Sequence, residues 1–286
     1  YSFTEFDLRD AGAKGFGAFA LRGYRAGERI FSEAPLALLV VTDRNRVQRD
    51  DGVAMIERVV AALSERRRAA YFALSQEVWH GATPTALGVW LSNAYPLDEG
   101  DSGGGSKQAV FAQICRLNHA CNPNVIISWN ARLRQQTVHA ARKIVQGEEL
   151  TASFYGGDGL AGMARSERCE HLEAKFHFQC ACDLCALTGG ELTRSEKRQR
   201  RLREISDGMK PPPPYRRLVK LVSEAVGLLR DEGLPASWAK IYYLRLVGSA
   251  ADAGDVEAAG EWARKAAACA CEACGADSPS YLNILQ

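Results

Sequence analysis

Apolar and polar residues follow two rhythms along the chain, and the rhythm changes where glycine and proline punctuate it. Over residues 1–41 short apolar runs are broken by turns: "GAKGFGAFAL", a "YRAGER" turn, then "IFSEAPLALLVV". Runs of that length between turn residues predict short strands. From residue 50 the spacing lengthens. In "GVAMIERVVAALSERRRAAYFALS", Val53, Ile56, Val60, Leu63 and Tyr71 recur at helical intervals, which predicts helix within 50–91. "DEGDSGGGSK" (98–107) has no periodicity and predicts a flexible loop. Strand character returns in "VIISWN", in "QTVHAARKIV" and, after a second Gly-Glu turn, in "EELTASFYGG". "TRSEKRQRRLREI" starts a helix, and "PPPP" (211–214) is a stiff spacer. Residues 215–286 read as helices punctuated at "DEGLPAS", "DAGD" and "GADSP". The pattern predicts an α+β chain with a β-rich first half, interrupted by helices, and a helical tail.

Composition narrows this a little. The 286 residues suffice for one large domain or two to three smaller ones. A net charge of +2 argues neither for nor against nucleic acid. No apolar run reaches the roughly 18 residues of a membrane span, and no signal peptide is visible. The chain begins at Tyr1 without Met, so a preceding segment is expected. Its nine cysteines are odd in number and clustered. That usage predicts reduced thiols and metal ligation inside the cell, in cytoplasm or nucleus, rather than a disulfide framework. The basic run "RSEKRQRRLR" suits acidic peptide or nucleic acid, but a solvated helix face is the simpler reading.

Two cysteine clusters share the spacing Cys-x-Cys-x-x-Cys. In "AACACEACGA" the surrounding alanines favour helix. On a helix Cys269 and Cys271 point about 200° apart and Cys274 lies about 140° from the first, so they do not converge on one ion. They are read as small residues between packed helices. "FQCACDLC" differs: it has aromatic neighbours, no helix pattern and a tight Cys-x-Cys suited to a loop around Zn²⁺. Structural zinc takes four thiolate or imidazole ligands. Cys180, Cys182 and Cys185 supply three. The fourth is open among Cys115, Cys121, Cys169 and the five histidines.

"RLNHACNPN" (116–124) crowds Asn118, His119, Cys121, Pro123 and Asn124 beside a strand. Alone it would also fit an Asx-rich turn. With "AKGFGAFA" before it, "GEELTASFYG" after it and Cys-x-Cys-x-x-Cys beyond, the chain resembles the SET-domain methyltransferases. That family has Gly-x-Gly, Asn-His-x-Cys-x-Pro-Asn, Gly-Glu-Glu-Leu-Thr and a cysteine-rich post-SET segment in this order. The four blocks span roughly residues 8–187, and the helical tail extends the likeness to the SMYD-type branch and its fungal relatives. Between Val40 and Val110, where animal members carry a MYND finger, there is no cysteine. The resemblance implies a β-rich SET fold with a helical insert, a zinc-binding post-SET segment and a C-terminal TPR-like helical region. It divides the chain into SET residues 1–44, insert 45–106, SET residues 107–160, post-SET 161–190 and helical region 191–286.

The resemblance also implies a site. Cys121 would be the fourth zinc ligand beside Cys180, Cys182 and Cys185. Lys14, Gly15, Phe16, Gly17, Asn93, Asn118, His119, Phe154 and Phe178 would bind S-adenosylmethionine (SAM), with Phe178 on the adenine. Here the pattern departs from the family. Its catalytic tyrosine falls on Phe154, next to Tyr155, and its post-SET channel tyrosine falls on Phe176. Tyr155 is the candidate replacement hydroxyl, admitted to the channel by a distortion at "GG" (156–157). The implied activity is SAM-dependent methylation of a protein lysine. Other chemistry on a small molecule, favoured by the apolar Phe154 and Phe176, and a non-catalytic scaffold are the alternatives. The expected partner is a protein or small-molecule substrate, with no membrane, no direct nucleic-acid contact and the chain acting as a monomer.

Overall fold

A computed structural model describes residues 4–41, 50–74, 84–97, 106–155 and 159–286. Among them the chain forms ten strands and ten α-helices. The glycine-broken first segment gives β1 (Phe6–Asp10), β2 (Phe16–Ala20), β3 (Arg29–Glu33) and β4 (Ala37–Val41). The helical stretch gives α1 (Asp50–Ala61), α2 (Glu65–Phe72) and α3 (Ala86–Asn93). Then follow β5 (Tyr95–Leu97), β6 (Ser106–Val110), β7 (Asn118–His119), β8 (Val125–Asn130), β9 (Gln135–Ala140) and β10 (Glu149–Ala152). The second half is α4 (Arg165–Phe176), α5 (Asp183–Ala186), α6 (Gly189–Gly208), α7 (Tyr215–Asp231), α8 (Lys240–Asp252), α9 (Val256–Cys274) and α10 (Pro279–Leu282). The expected α+β architecture, with a helical insert and helical tail, is the one observed.

Three small sheets make up the β half, ordered β1-β2-β10-β7, β3-β9-β8 and β4-β6-β5. All pairings are antiparallel except β7 with β10. That parallel contact sets Asn118 opposite Thr151 and His119 opposite Ala152, so two distant motifs lie side by side. Phe6, Ile30, Phe111, Val138 and Leu150 fill the core between the sheets. Ile56, Val60, Tyr71 and Trp90 pack the helical insert onto Leu36, Leu39 and Val110. A third core runs without a break from Cys121 and Cys182 through Leu172 to Leu202, Leu218 and Leu246 of the tail. Burial of such side chains contributes roughly 1.5–3 kcal/mol each.

Several elements differ from the sequence expectation. Of the loop expected at 98–107, residues 98–105 lie outside the described residues, while Ser106 and Lys107 open β6. β9 ends at Ala140, and beyond it Ile144 only bridges to Tyr24. β10 ends at Ala152; Ser153 to Tyr155 turn away, because the Phe154 N–H is taken by a side chain rather than by a strand partner. α4 carries no apolar periodicity that would announce it. The segment read as a loop around zinc includes the short α5, whose last turn holds Cys185.

Half of the basic run on α6 is engaged within the fold. Arg198 pairs with the fully buried carboxylate of Glu232, which also accepts from Ser195 and, at 3.0 Å, from Gln199. Arg201 pairs with Glu204 and Glu224, and Arg203 with Glu167. Ion pairs to neighbouring helices, rather than a free cationic stripe, account for these three arginines.

The far end of the tail docks on the sheets through Arg29. Its guanidinium pairs with Asp277 and donates from Nε to His139 Nε2 at 3.2 Å. Gly275, at φ 87°, lets the chain pass this point, since a Cβ there would sit 2.6 Å from Arg29 Nη2. His139 is 1% exposed and must accept at Nε2, so burial and the adjacent Arg29 charge lower its pKa from 6.5 to about 4. The unfolded chain therefore binds a proton here that the folded chain refuses between pH 6.5 and 4. Stability from this group is complete above pH 6.5 and is lost as pH falls towards 4, by up to about 3 kcal/mol. Urea unfolding across that window should show the decline, and His139→Gln should remove this group's share of it.

Candidate functional site

The site is assembled on the turn that precedes β7. Glu33, at the end of β3, accepts backbone N–H groups from Ala112 (2.8 Å), Gln113 (3.0 Å) and Ile114 (3.0 Å). Its carboxylate thereby fixes the 3-10 turn Ile114–Arg116 that delivers Asn118. Asn124 closes the other side of the motif. Its amide donates to Glu149 O at 2.8 Å, and its Oδ1 accepts from Thr151 N at 2.8 Å. Glu33 thus fixes the turn before the "NHACNPN" segment, and Asn124 locks the end of that segment to β10.

Three segments meet at Glu149. Asn118 Nδ2 donates to Glu149 Oε1 at 2.8 Å and to Phe16 O at 3.3 Å. Lys14 Nζ reaches Glu149 Oε2 at 2.6 Å. Gly15, at φ 72°, makes the turn into β2, and a Cβ on it would meet open space. At Gly17 a Cβ would lie 2.5 Å from Glu149 Oε1 and 3.0 Å from Asn118 Nδ2, so any side chain there would displace the Glu149 carboxylate and the Asn118 amide from each other. Phe16 stands 71% exposed beside these polar groups. The result is a shallow lip carrying a cation, an anion, an amide and a bare aromatic ring. Glu149 and Glu33 were not picked out from sequence, and Asn124 was noted there only as the end of the motif. Glu149 carried a signal, as the second Glu of the Gly-Glu turn; Glu33 carried none.

His119 points inward and connects this lip to the cysteines. Its Nδ1 accepts from Phe154 N at 3.1 Å, which leaves the proton on Nε2, 3.4 Å from Cys121 Sγ. Burial, with the charges of Arg168 and Lys14, pushes its pKa down to about 4, so the imidazole is neutral. With the ring so engaged, contact with a ligand on the lip falls to the backbone of His119.

Around His119 lie four more aromatic rings. Phe154 is 5.2 Å from His119, 5.2 Å from Phe176 and 6.1 Å from Phe178. Tyr155 stands edge-on to Phe176 at 6.0 Å and near His171, with Lys175 Nζ 5.8 Å above its ring. Its hydroxyl is buried and has no hydrogen-bond partner among the described residues. Because Phe154 and Tyr155 lie in a turn, the alternation of a strand does not separate them, and both contact Phe176. The Gly-Gly step invoked to move Tyr155 lies outside the described residues. Asn93, at the end of α3, donates from its amide to Val89 O at 2.8 Å. The backbone carbonyl of Asn93 accepts from the Cys115 thiol at 3.4 Å, three residues before Asn118.

Cys121, Cys180, Cys182 and Cys185 bring their sulfurs within 4.8 Å of one another. Cys121 Sγ is 3.9 Å from Cys180 Sγ and 3.5 Å from Cys185 Sγ. Zn–S bonds of about 2.3 Å in a tetrahedron require S···S near 3.8 Å, whereas a disulfide needs about 2.05 Å. All nine cysteines are free, and the four thiols have the number, chemistry and spacing of one zinc site. Cys269, Cys271 and Cys274 lie apart on α9, as the helical reading expects.

A family model described as the SET domain matches residues 15–155. The histone-lysine N-methyltransferase set5 of Schizosaccharomyces pombe is 30% identical over 198 residues, 68% of this chain and 51% of that protein. The N-lysine methyltransferase SMYD2-B of Danio rerio is 33% identical over 92 residues, covering 32% of this chain and 20% of its own. The chain thus spans about half the length of the set5 protein and a smaller part of SMYD2-B. A solved chain from an active polycomb repressive complex 2 in the stimulated state shares 16% identity at a TM-score of 0.30, covering 98% of this chain and 32% of that one. That score is too low to bear on the fold.

Proposed function

This chain is a SET-domain protein, and from that premise we propose that it transfers methyl groups from SAM to the side-chain nitrogen of a protein lysine. The observation that carries the reading is the meeting of the Gly15–Gly17 turn, Asn118 and the aromatic cluster around His119, with the thiol quartet directly behind. The names of the relatives, both lysine methyltransferases, support the acceptor. The five-part division of the chain, a reduced intracellular setting and a monomeric state are proposed with it.

Lys14, Gly15, Phe16, Gly17, Asn118 and His119 would hold SAM, with Phe178 alongside and Asn93 at the edge. The donor set fits such a molecule: Lys14 can face a carboxylate, Glu149 an ammonium, and exposed Phe16 an apolar or aromatic group. Bound there, SAM supplies an electrophilic methyl group on a sulfonium. The protein's part is positioning and the control of water. A free lysine has a pKa near 10.4, so roughly one in 1,000 is neutral at pH 7.4. Phe154, Phe176 and Phe178 exclude water from the ammonium, which favours its neutral form, and their faces still attract the cation on entry. The buried Tyr155 hydroxyl is the group that would orient the nitrogen lone pair, in place of the hydroxyls absent at 154 and 176. Cys121, Cys180, Cys182 and Cys185 would hold one Zn²⁺ and tie the segment bearing Phe176 and Phe178 to the motif bearing Asn118.

Incubation with methyl-labelled SAM and a protein mixture, followed by acid hydrolysis, tests the proposal. Label is expected in N-methyl-lysine. Cofactor binding with no labelled lysine would hand the site to another acceptor or to a scaffold role.

A further inference from the structure

Arg168 is buried in a place where a charge needs a reason. On α4 its side chain is 1% exposed, among the largest fully buried side chains of the described residues. Nη1 donates to Met163 O at 2.8 Å, Nη2 approaches Cys185 Sγ at 3.8 Å, and Nε has no partner. None of the ion pairs among the described residues includes it. A buried guanidinium without an anion costs several kcal/mol. Neutral thiols would not repay that; an anionic sulfur cluster would.

We propose that Arg168 is the counter-cation of the metal–thiolate site, a positioning residue that offsets the charge left when four thiolates bind one divalent ion. Two positive and four negative charges leave such a site doubly anionic in an apolar core. Arg168 lies against it with an N–H directed at Cys185, as outer-shell donors to metal ligands do. Its second bond, to Met163 O, ties the chain entering α4 to the same cluster. The inference rests on the zinc reading above and extends it from the ligands to their electrostatic support.

The test measures zinc affinity by competition with a chromophoric chelator at fixed pH, for wild type, Arg168→Met, Arg168→Gln and Arg168→Lys. The uncharged Met and Gln variants are expected to bind zinc about tenfold to 100-fold more weakly. Lys, which keeps the charge, should restore most of the affinity. Gln keeps an N–H donor, so its loss of affinity isolates charge from hydrogen bonding, and it serves if the Met variant does not fold. Thermal unfolding with and without EDTA gives a readout that a packing role would not move. Zinc-loaded Arg168→Met should melt below wild type, whereas the zinc-stripped variant should melt no lower than stripped wild type, because its unpaired buried charge is gone. Unchanged affinity in Met and Gln, or an equal loss of melting temperature with and without zinc, would overturn the inference. Wild-type protein that holds no zinc would overturn it together with the reading beneath it.

Discussion

Replacing Cys121 with serine is expected to strip the protein of zinc and several kcal/mol of stability together. Cys121 is 0% exposed and belongs to the core that continues into the tail helices, so the loss is not confined to a surface loop. Without the ion, Phe176, Phe178 and the three later cysteines have no covalent tie to the Asn118 motif. SAM binding should therefore fall as well. Cys271→Ser on α9, a site with no part in the quartet, should leave zinc content and melting temperature unchanged. Metal analysis with parallel thermal unfolding reads both variants, and zinc lost on mutating Cys271 would move the metal site to α9.

Tyr155→Phe should lower methyl transfer by about 10²–10⁴-fold, the usual cost of deleting a group that orients or exchanges a proton in the transition state. The motive is a buried, unpartnered hydroxyl beside Phe176, in a pocket where Phe154 and Phe176 supply none. Because the hydroxyl makes no hydrogen bond among the described residues, its removal should leave stability nearly unchanged, which separates a chemical role from a structural one. If transfer survives in Tyr155→Phe, the orienting hydroxyl comes from elsewhere. The double variant Phe154→Tyr with Phe176→Tyr then offers the complementary measurement: a gain in lysine methylation would show that the missing hydroxyls limit the wild-type rate.

How far the sequence speaks can be read residue by residue. The early strands and the helices of the insert and tail follow from apolar spacing, and the alanine context of Cys269, Cys271 and Cys274 suffices to place them on a helix. Three of the four clustered thiols are visible from local spacing. Cys121 is not, since it stands 59 residues before Cys180, and only the likeness to a known family brings it forward. α4 is silent because its two buried positions are Leu172 and Arg168. An arginine on the inward face erases the apolar period, and the reason it can face inward lies in sulfurs from other segments. The end of β10 is hidden similarly. "TASFYGG" alternates like a strand, but the Phe154 N–H finds His119 Nδ1, a partner 35 residues away. Long-range polar contacts to single side chains decide these details, and periodicity does not register them.

The Gly15–Gly17 turn, Asn118 and His119 should together form one SAM site. A calorimetric titration of zinc-loaded protein with SAM measures this directly, beside the Asn118→Ala variant. A single-site isotherm is predicted for the wild type. Affinity should be about tenfold weaker in the variant, the loss of roughly one hydrogen bond together with its hold on Phe16 and Glu149. Absence of binding to the wild type, or equal affinity in both proteins, would contradict it.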